Sequence, residues 1–474
     1  MEPIQTDLVV VGAGPGGYTA AFYAADHGKR VVLVEREARL GGVCLNRGCI
    51  PSKALLHAAH TINVAREAEH WGLTFGEPRV DLDRLRAWKE SILEKLGNGV
   101  SQLAQRRQVP VITGRAHFED STTVRVETAG GQQFIKYERA IVATGSKAAM
   151  PKAFDLGNPR IMTSTEALEI EEVPGTLLVV GGGYIGMELG TVYATLGSQV
   201  VVVEAAEHIL GGADPDLARP IAKRAAQRFK EIRTQAKVLD MATKGPHIRV
   251  MMEVNGERLE EFYDRVLVSV GRVPNAEDLG LENTKVTRDD KGFIEVDEFQ
   301  QTQDPAILAI GDIAGGVLLA HKASREARIA VERVLGESST AEDFVIPAVV
   351  FTDPELAWCG LTEAEARAKG LAVEVAKFPW SASGRALTFD RPDGLTKLVV
   401  DPETERVLGL GIVGHGAGEL IAEGVVAVEM GATAMDLALA VHPHPTLSET
   451  IMECAEVFYG YATHAIARRR KQEA

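Results

Sequence analysis

Short runs of consecutive apolar residues, each stopping abruptly at a glycine or an acidic residue, punctuate the first two thirds of the chain. Leu8-Val9-Val10-Val11 stops at Gly12, residues 31–34 at Glu35, Leu177-Leu178-Val179-Val180 at Gly181, and residues 200–203 at Glu204. Unbroken apolar runs of this length predict strands buried on both faces, as in a parallel sheet covered by helices. Residues 141–145, 266–270 and 308–312 read the same way, each ending in small or acidic residues where a ligand could approach a strand end. The alanine-rich stretch through Ala25 predicts a helix between the first two strands. Further along, apolar runs at 348–352, 396–400 and 408–413 mix with helical patterns near 362–369 and 418–430, which predicts an α+β region of different construction.

Two of these strands open the same phrase. Gly12-x-Gly14-x-x-Gly17 and Gly181-x-Gly183-x-x-Gly186 each follow an apolar strand, precede a helix and are answered by an acidic residue at the next strand end. The same 23 positions separate Gly12 from Glu35 and Gly181 from Glu204. Glycines at this spacing allow the tight turn and the close approach of backbone to a pyrophosphate, and the helix N-terminus offers amides to it. The carboxylate at the second strand end can take the hydroxyls of an adenosine ribose. Two such units in one register predict two dinucleotides, and for a redox protein the simplest pair is FAD and NAD. Glu204 welcomes a free 2′-hydroxyl and repels a 2′-phosphate, and residues 205–210 supply no lysine or arginine, which selects NAD over NADP. Asp312 is open to two readings, an acceptor for ribitol hydroxyls or a cap after its strand. Gly145 and Gly271 end strands in the same manner, and Gly271-Arg272-Val273-Pro274-Asn275 reads as a turn that crosses between domains.

Cys44 and Cys49 lie just past the first unit, in Gly41-Gly42-Val43-Cys44-Leu45-Asn46-Arg47-Gly48-Cys49-Ile50-Pro51-Ser52-Lys53. In an undistorted helix, residues five apart stand roughly 8 to 9 Å from each other and point away, so a bridge between them requires a distorted turn. Glycines at 41, 42 and 48 permit one. A strained bridge is readily reduced, which suits a pair that opens and closes; the plain alternative is two inert buried thiols. Cys359 and Cys454 are solitary, and no Cys-x2-Cys or His-x3-His cluster is present, so no metal site is expected. Near the end, His442-Pro443-His444-Pro445-Thr446-Leu447-Ser448-Glu449 fixes two histidines ahead of a helix start. Glu449 is either the acid of a capping box with Thr446 or the carboxylate that orients His444 as a base.

Composition narrows the partners. With 474 residues, 45% hydrophobic and 25% charged, the chain holds several ordered domains, and a net charge of -15 argues against nucleic acid or an anionic membrane. The basic run Arg468-Arg469-Arg470-Lys471 reads as a solvated end. Acidic residues where a signal peptide needs basic ones, and no apolar run long enough to span a bilayer, predict a soluble cytoplasmic protein.

Taken together, the cysteine segment, both fingerprints, Gly271-Arg272-x-Pro274-Asn275, Ile310-Gly311-Asp312, Leu319-Ala320-His321-Lys322 and His444-Pro445-Thr446-Leu447-x-Glu449 resemble the flavoprotein disulfide reductases nearly end to end, most closely the branch that oxidises dihydrolipoyl groups. The resemblance implies an α/β fold: an FAD domain (1–147) completed by a later segment (276–343), a Rossmann-like NAD domain (148–275), and a C-terminal interface domain (344–474) that forms a homodimer. It implies that Cys44 is the outer thiol attacked by substrate and Cys49 the inner one, and that Lys53 and Glu188 form an ion pair beside the flavin. Ala320 joins Gly12, Gly14, Gly17, Glu35, Gly145 and Asp312 in the flavin site. His444, oriented by Glu449, reaches the cysteines of the other subunit. The implied reaction is oxidation of protein-bound dihydrolipoamide to lipoamide with hydride transfer to NAD⁺. The implied partners are the lipoyl domains and core subunits of 2-oxo acid dehydrogenase complexes and the H protein of glycine cleavage. A glutathione reductase would want basic residues near Glu204, and a mercuric reductase a C-terminal cysteine pair. A redox-idle assembly subunit would have no use for the retained cysteines and His444. The charge argument yields a direct test: Glu204→Arg shifts coenzyme preference toward NADP, read as the ratio of kcat/KM for the two coenzymes, and an unchanged ratio places discrimination elsewhere.

Overall fold

The computed structural model describes residues 2–337 and 344–466; the basic run at 468–471 lies outside the described residues. Each of the two fingerprint units forms a βαβ element, and the two agree in register. Leu8 to Val11 pair in parallel with Val31 to Val34, and Leu177 to Val180 with Val200 to Val203. The helices Pro15–Asp26 and Tyr184–Leu196 follow the two turns. A side chain on Gly17 would meet the carbonyl oxygen of Gly12 at 1.8 Å, and one on Gly186 that of Gly181 at 2.1 Å. Only glycine lets each helix lie this close to its turn.

Around these units the chain builds three bodies. The first sheet runs, in strand order, Val111–Thr113, Val31–Glu35, Ile4–Val11, Gly131–Val142, Thr123–Thr128 and Arg115–Asp120, and Ile307–Ala309 adds to Gly131–Val142 in parallel. That late strand, with the helix Ala320–Leu335 packed on Pro15–Asp26, closes the first core: Leu308, Ala327, Ala330 and Val331 share one buried cluster with Leu8, Ala20 and Leu33. The second body is a parallel sheet of Glu231–Arg233, Gln199–Val203, Thr176–Val180, Arg265–Val268 and Ile161–Met162, with an antiparallel meander of Ala236–Lys244, His247–Val254 and Glu257–Tyr263 beside it. The third is the antiparallel sheet Ala348–Val350, Glu355–Gly360, Val407–Gly414, Leu395–Val400 and Glu374–Pro379, flanked by the helices Ala417–Glu429 and Glu449–Tyr459. The fingerprint strands end at or within one residue of their apolar runs, whereas the strands at 141–145, 266–270 and 308–312 stop two or three residues early, because the last residues of those runs line a cleft instead of continuing the ladder. The segment from Gly271 is more than a turn: Arg272–Pro274 pairs antiparallel with Ser146–Ala148 in a two-stranded ribbon. Among the described residues no helix is long and apolar enough to cross a membrane.

Two long helices that hydrophobic runs did not flag, Cys49–Glu67 and Leu82–Arg106, stand outside the first sheet. The former lies against Tyr184–Leu196, with Asn63 donating to Thr195 Oγ1 (3.2 Å) and Arg66 to the Thr195 carbonyl (3.2 Å). Leu55, Leu56 and Ala59 from this helix enter the core of the second body, as do Val350, Leu356 and Val413 of the third. The second and third bodies are also joined by charge. Lys397, with 2% of its side chain exposed, sets its ammonium 2.8 Å from Asp214, 3.1 Å from Asp216 and 2.7 Å from Glu363. Burial opposes the charge, but these carboxylates more than offset it and raise the ammonium's pKa above its ordinary value. Lys397→Met therefore leaves buried Asp214 without a cation, while Asp216 keeps Lys377 and Glu363 keeps Arg367, and destabilises the junction by about 3 to 5 kcal/mol, seen as a lower thermal midpoint. Adding Glu363→Gln should recover part of the loss; no recovery would mean the lysine stem, not its charge, holds the junction.

Candidate active site

Two clefts open at the carboxyl ends of the two parallel sheets. The fingerprint turn at Gly12 and Gly14 lines the first, together with Glu35, Gly145, Asp312 and Ala320. Cys44, Cys49, Lys53 and Glu188 line the same cleft. The second is lined by Gly181, Gly183, Glu204 and Gly271. Gly17 and Gly186 line neither; their place is in the helix packing described above.

The cysteine segment takes its shape from glycine. Gly42, at φ +60°, lies against the first fingerprint turn, where a side chain would meet Gly14 Cα at 2.6 Å. The helix Gly42–Arg47 then breaks at Gly48 (φ -147°, ψ -108°) before Cys49–Glu67 begins. This is the distortion that the five-residue spacing demands, and it brings the two thiols close enough to influence each other's ionisation. Both cysteines are free thiols here, Cys44 half-buried and Cys49 exposed on the cleft wall. Cys44 donates its S–H to Cys49, and this bond, helped by Lys53 and opposed by burial, brings the Cys49 thiol down to about 7. Cys44 is pushed up, its proton held in the same bond and its charge disfavoured by burial. One proton leaves the pair easily and the second does not.

Lys53 reaches across to the second fingerprint helix, its ammonium 3.0 and 2.8 Å from the two oxygens of Glu188. Glu188 is 3% exposed at its side chain and also accepts from Ser52 Oγ (2.8 Å) and the Phe351 amide (3.0 Å), while the Lys53 ammonium sits 4.4 Å over the Phe351 ring. Ser52 stands inside the cysteine motif. Phe351 carried no signal in the sequence, since it arrives from the start of the third body.

The two strand-end carboxylates are held alike. Glu35 accepts from the amides of Ala13 (2.7 Å) and Glu37 (3.0 Å), and Glu204 from those of Gly182 (2.7 Å) and Ala206 (2.7 Å). The contacts fix each carboxylate beside its turn as an acceptor, the orientation a ribose diol requires. No side chain or backbone atom stands within 4 Å of where a Cβ on Gly183 would project, leaving that turn open. Both donor sets fit dinucleotides. Residues that local reasoning missed are Tyr184 and Arg272, which line both clefts, and Lys237, which the antiparallel meander brings to the wall of the second. Asp312 accepts from Ser146 Oγ and lies 3.6 Å from the Arg272 guanidinium.

His444 stands apart. Its Nδ1 is 2.8 Å from Glu449 Oε1, and Glu449 Oε2 accepts the Thr446 amide at 2.7 Å, so a single carboxylate does both things the spacing left open. The capping box is only half made, because the Thr446 hydroxyl donates to the Pro443 carbonyl (2.7 Å). Burial opposes the charge of Glu449, but the Thr446 amide and His444 hold its carboxyl below the usual range. His444 keeps 77% of its side chain exposed and lines neither cleft of its own chain.

A thiol pair on the wall of one cleft that adjoins a second, both built on dinucleotide-type turns, defines a class of redox protein, and comparison with known proteins agrees. Residues 6–327 match the pyridine nucleotide-disulphide oxidoreductase family, and residues 346–455 match its dimerisation domain. The chain belongs to this family; FAD and NAD are its cofactors and the homodimer its form. Among solved structures, LpdA from Mycobacterium tuberculosis superimposes with a TM-score of 0.87 at 28% identity, covering 96% of this chain and 99% of that one. The HOCl-induced flavoprotein disulfide reductase RclA from Escherichia coli gives 0.85 at 29%, covering 95% and 99%. In sequence, the chain is 45% identical over 474 residues to the dihydrolipoyl dehydrogenase of Vibrio cholerae (99% of this chain, 100% of that protein). It is 45% identical over 473 residues to that of Haemophilus influenzae (100% and 99%), and 44% over 465 residues to that of Geobacillus stearothermophilus (98% of each).

The thiol pair carries its own test. In the reduced protein a single cysteine should be alkylated with a midpoint near pH 7, slowing as pH falls and the Cys49 thiolate is protonated. Cys44→Ala removes the donor and should move that midpoint upward; an unmoved midpoint would assign the low value to another cause.

Proposed function

We propose that the chain oxidises dihydrolipoyl groups, carried on lipoyl domains of other proteins, to the cyclic disulfide with NAD⁺ as the final acceptor. The observation that carries this reading is the placement of Cys44 and Cys49 on the wall of the first cleft next to the Lys53–Glu188 pair, joined to 45% identity with the dihydrolipoyl dehydrogenases of Vibrio cholerae and Haemophilus influenzae. FAD would be held by Gly12, Gly14, Glu35, Lys53, Gly145, Asp312 and Ala320, and NAD by Gly181, Gly183, Glu204 and Gly271. Bound in these clefts, FAD would supply an acceptor for the electron pair of the reduced thiols, and NAD⁺ the final hydride acceptor.

The work of the chain's own residues is thiol exchange. His444, with Nδ1 committed to Glu449, presents Nε2 and takes a proton from one dihydrolipoyl thiol. The resulting thiolate attacks the Cys44 sulfur of the closed pair, the bond between the cysteines breaks, and Cys49 leaves as thiolate, a role its lowered pKa suits. The second lipoyl thiol then attacks the lipoyl sulfur bound to Cys44, closing the ring and releasing Cys44; His444 gives its proton to Cys44 and takes that of the second thiol, so it ends protonated beside the Cys49 thiolate. The open pair with a Cys44 to Cys49 hydrogen bond is the state this exchange leaves. Because His444 lines neither cleft of its own chain, the base acts on the cysteines of the other subunit. The lipoyl-bearing partners are the core subunits of 2-oxo acid dehydrogenase complexes and the H protein of glycine cleavage.

Competing chemistries have less support. Glu204 is fixed as an acceptor beside the second turn, against an NADP-linked glutathione reductase, and Cys454 is fully buried with its thiol on the Thr396 carbonyl (3.4 Å), against a mercuric reductase tail. Mixing the protein with dihydrolipoamide and NAD⁺ without air should yield NADH. No NADH from dihydrolipoamide, with flavin still reduced by NADH, would redirect the search to another disulfide. His444→Gln should lower dihydrolipoamide oxidation by about 10²-fold or more while sparing reduction of an artificial acceptor by NADH. Equal losses in both assays would refute its role as the base.

A further inference from the structure

Among the described residues four line both clefts, Tyr184, Ile185, Arg272 and Leu318, and Arg272 is the charged one. Its strand Arg272–Pro274 follows the last strand of the second sheet, Arg265–Val268, yet its side chain is anchored on the first body. Nε donates to Ser146 Oγ at 2.7 Å and Nη2 to the Ser146 carbonyl at 2.8 Å. Ser146 in turn donates to Asp312, whose carboxylate is 3.6 Å from the same guanidinium. Ser146 is 1% exposed, and the Arg272 side chain 13%, so these contacts are shielded and their charges act strongly on one another. The chain of contacts runs without a gap from the wall of the nicotinamide cleft to an acceptor on the wall of the flavin cleft.

A dinucleotide is anionic. When it enters the second cleft it meets a guanidinium already engaged with Asp312, and the positive charge must be shared between them. We propose that Arg272 is a positioning residue that reports occupancy of the nicotinamide cleft to the flavin, through Ser146 and Asp312. Drawn toward the dinucleotide, the guanidinium relaxes its hold, and Asp312 and Ser146 reset their hydrogen bonds on the flavin side. The relay rests on the assignment of FAD to the first cleft and NAD to the second. It requires no movement of a domain, only redistribution of hydrogen bonds around one buried serine.

The test uses the oxidised, FAD-loaded protein titrated with NAD⁺, which cannot reduce it, while flavin absorbance and binding heat are followed together. The wild-type protein should show a flavin absorbance change that saturates with NAD⁺. At NAD⁺ concentrations that saturate each variant, Arg272→Met and Ser146→Ala should both lose most of that change, and Arg272→Lys should keep part of it. If Arg272→Met loses FAD, Ser146→Ala decides, since it keeps the guanidinium and cuts the bridge. A wild-type flavin that stays silent while NAD⁺ binds, or variants that respond as fully as wild type, would overturn the relay. Absence of binding heat in the wild type would instead overturn the assignment of the second cleft, and the relay with it.

Discussion

One buried carboxylate carries the architecture of this site. Glu188 sits on the helix of the second fingerprint, yet it is satisfied by groups from the other two bodies: Ser52 and Lys53 from the cysteine helix, and the Phe351 amide from the start of the third. A carboxylate this deep is costly unless every lone pair is answered, so its partners are held in place by the cost of leaving it. The consequence is geometric. Four residues after Cys49, Lys53 is pinned to the second body, which orients the helix that starts at Cys49 and sets the thiol pair on the wall of the first cleft.

The duplicated βαβ unit shows how much a local pattern can dictate. In both copies the strand register, the glycine that admits the helix, and the two amides that grip the strand-end carboxylate agree. The agreement follows from sterics, since a strand, a turn with no room for a Cβ and a helix started by free amides have few ways to fit together. What surrounds the copies differs. The first unit borrows a strand and a helix from beyond the second, so Leu308 and Ala327 complete a core begun at Leu8.

On the proposed reading, the histidine and the cysteines divide the chemistry between copies. His444 is oriented by Glu449 in its own chain, but most of its ring is exposed and it lines neither cleft there. The thiol pair, for its part, has a cation, a lowered pKa at Cys49 and an open cleft wall, but no base beside it among the residues lining the cleft. Each half is preorganised, and in the proposed mechanism the dimerisation domain at 346–455 is the element that would unite them.

By itself the sequence determined whatever rests on neighbours along the chain. The two nucleotide turns were legible because strand, glycines, helix and acid fall within about thirty residues. The thiol pair was legible because glycines at 42 and 48 permit the distorted turn that its five-residue spacing requires, whereas the spacing of His444 and Glu449 left a capping box and a histidine partner both open. Only the tertiary structure decided the contacts between distant segments. It brought Phe351 to Glu188, Lys397 to three carboxylates of two bodies, Lys237 to the nicotinamide cleft, and Arg272 to a wall shared by both clefts. It also resolved Glu449, whose two oxygens serve the helix start and the histidine together. The physical reason is the same throughout. Periodicity and turn chemistry report the local backbone, whereas burial makes each polar group find a partner wherever the fold supplies one.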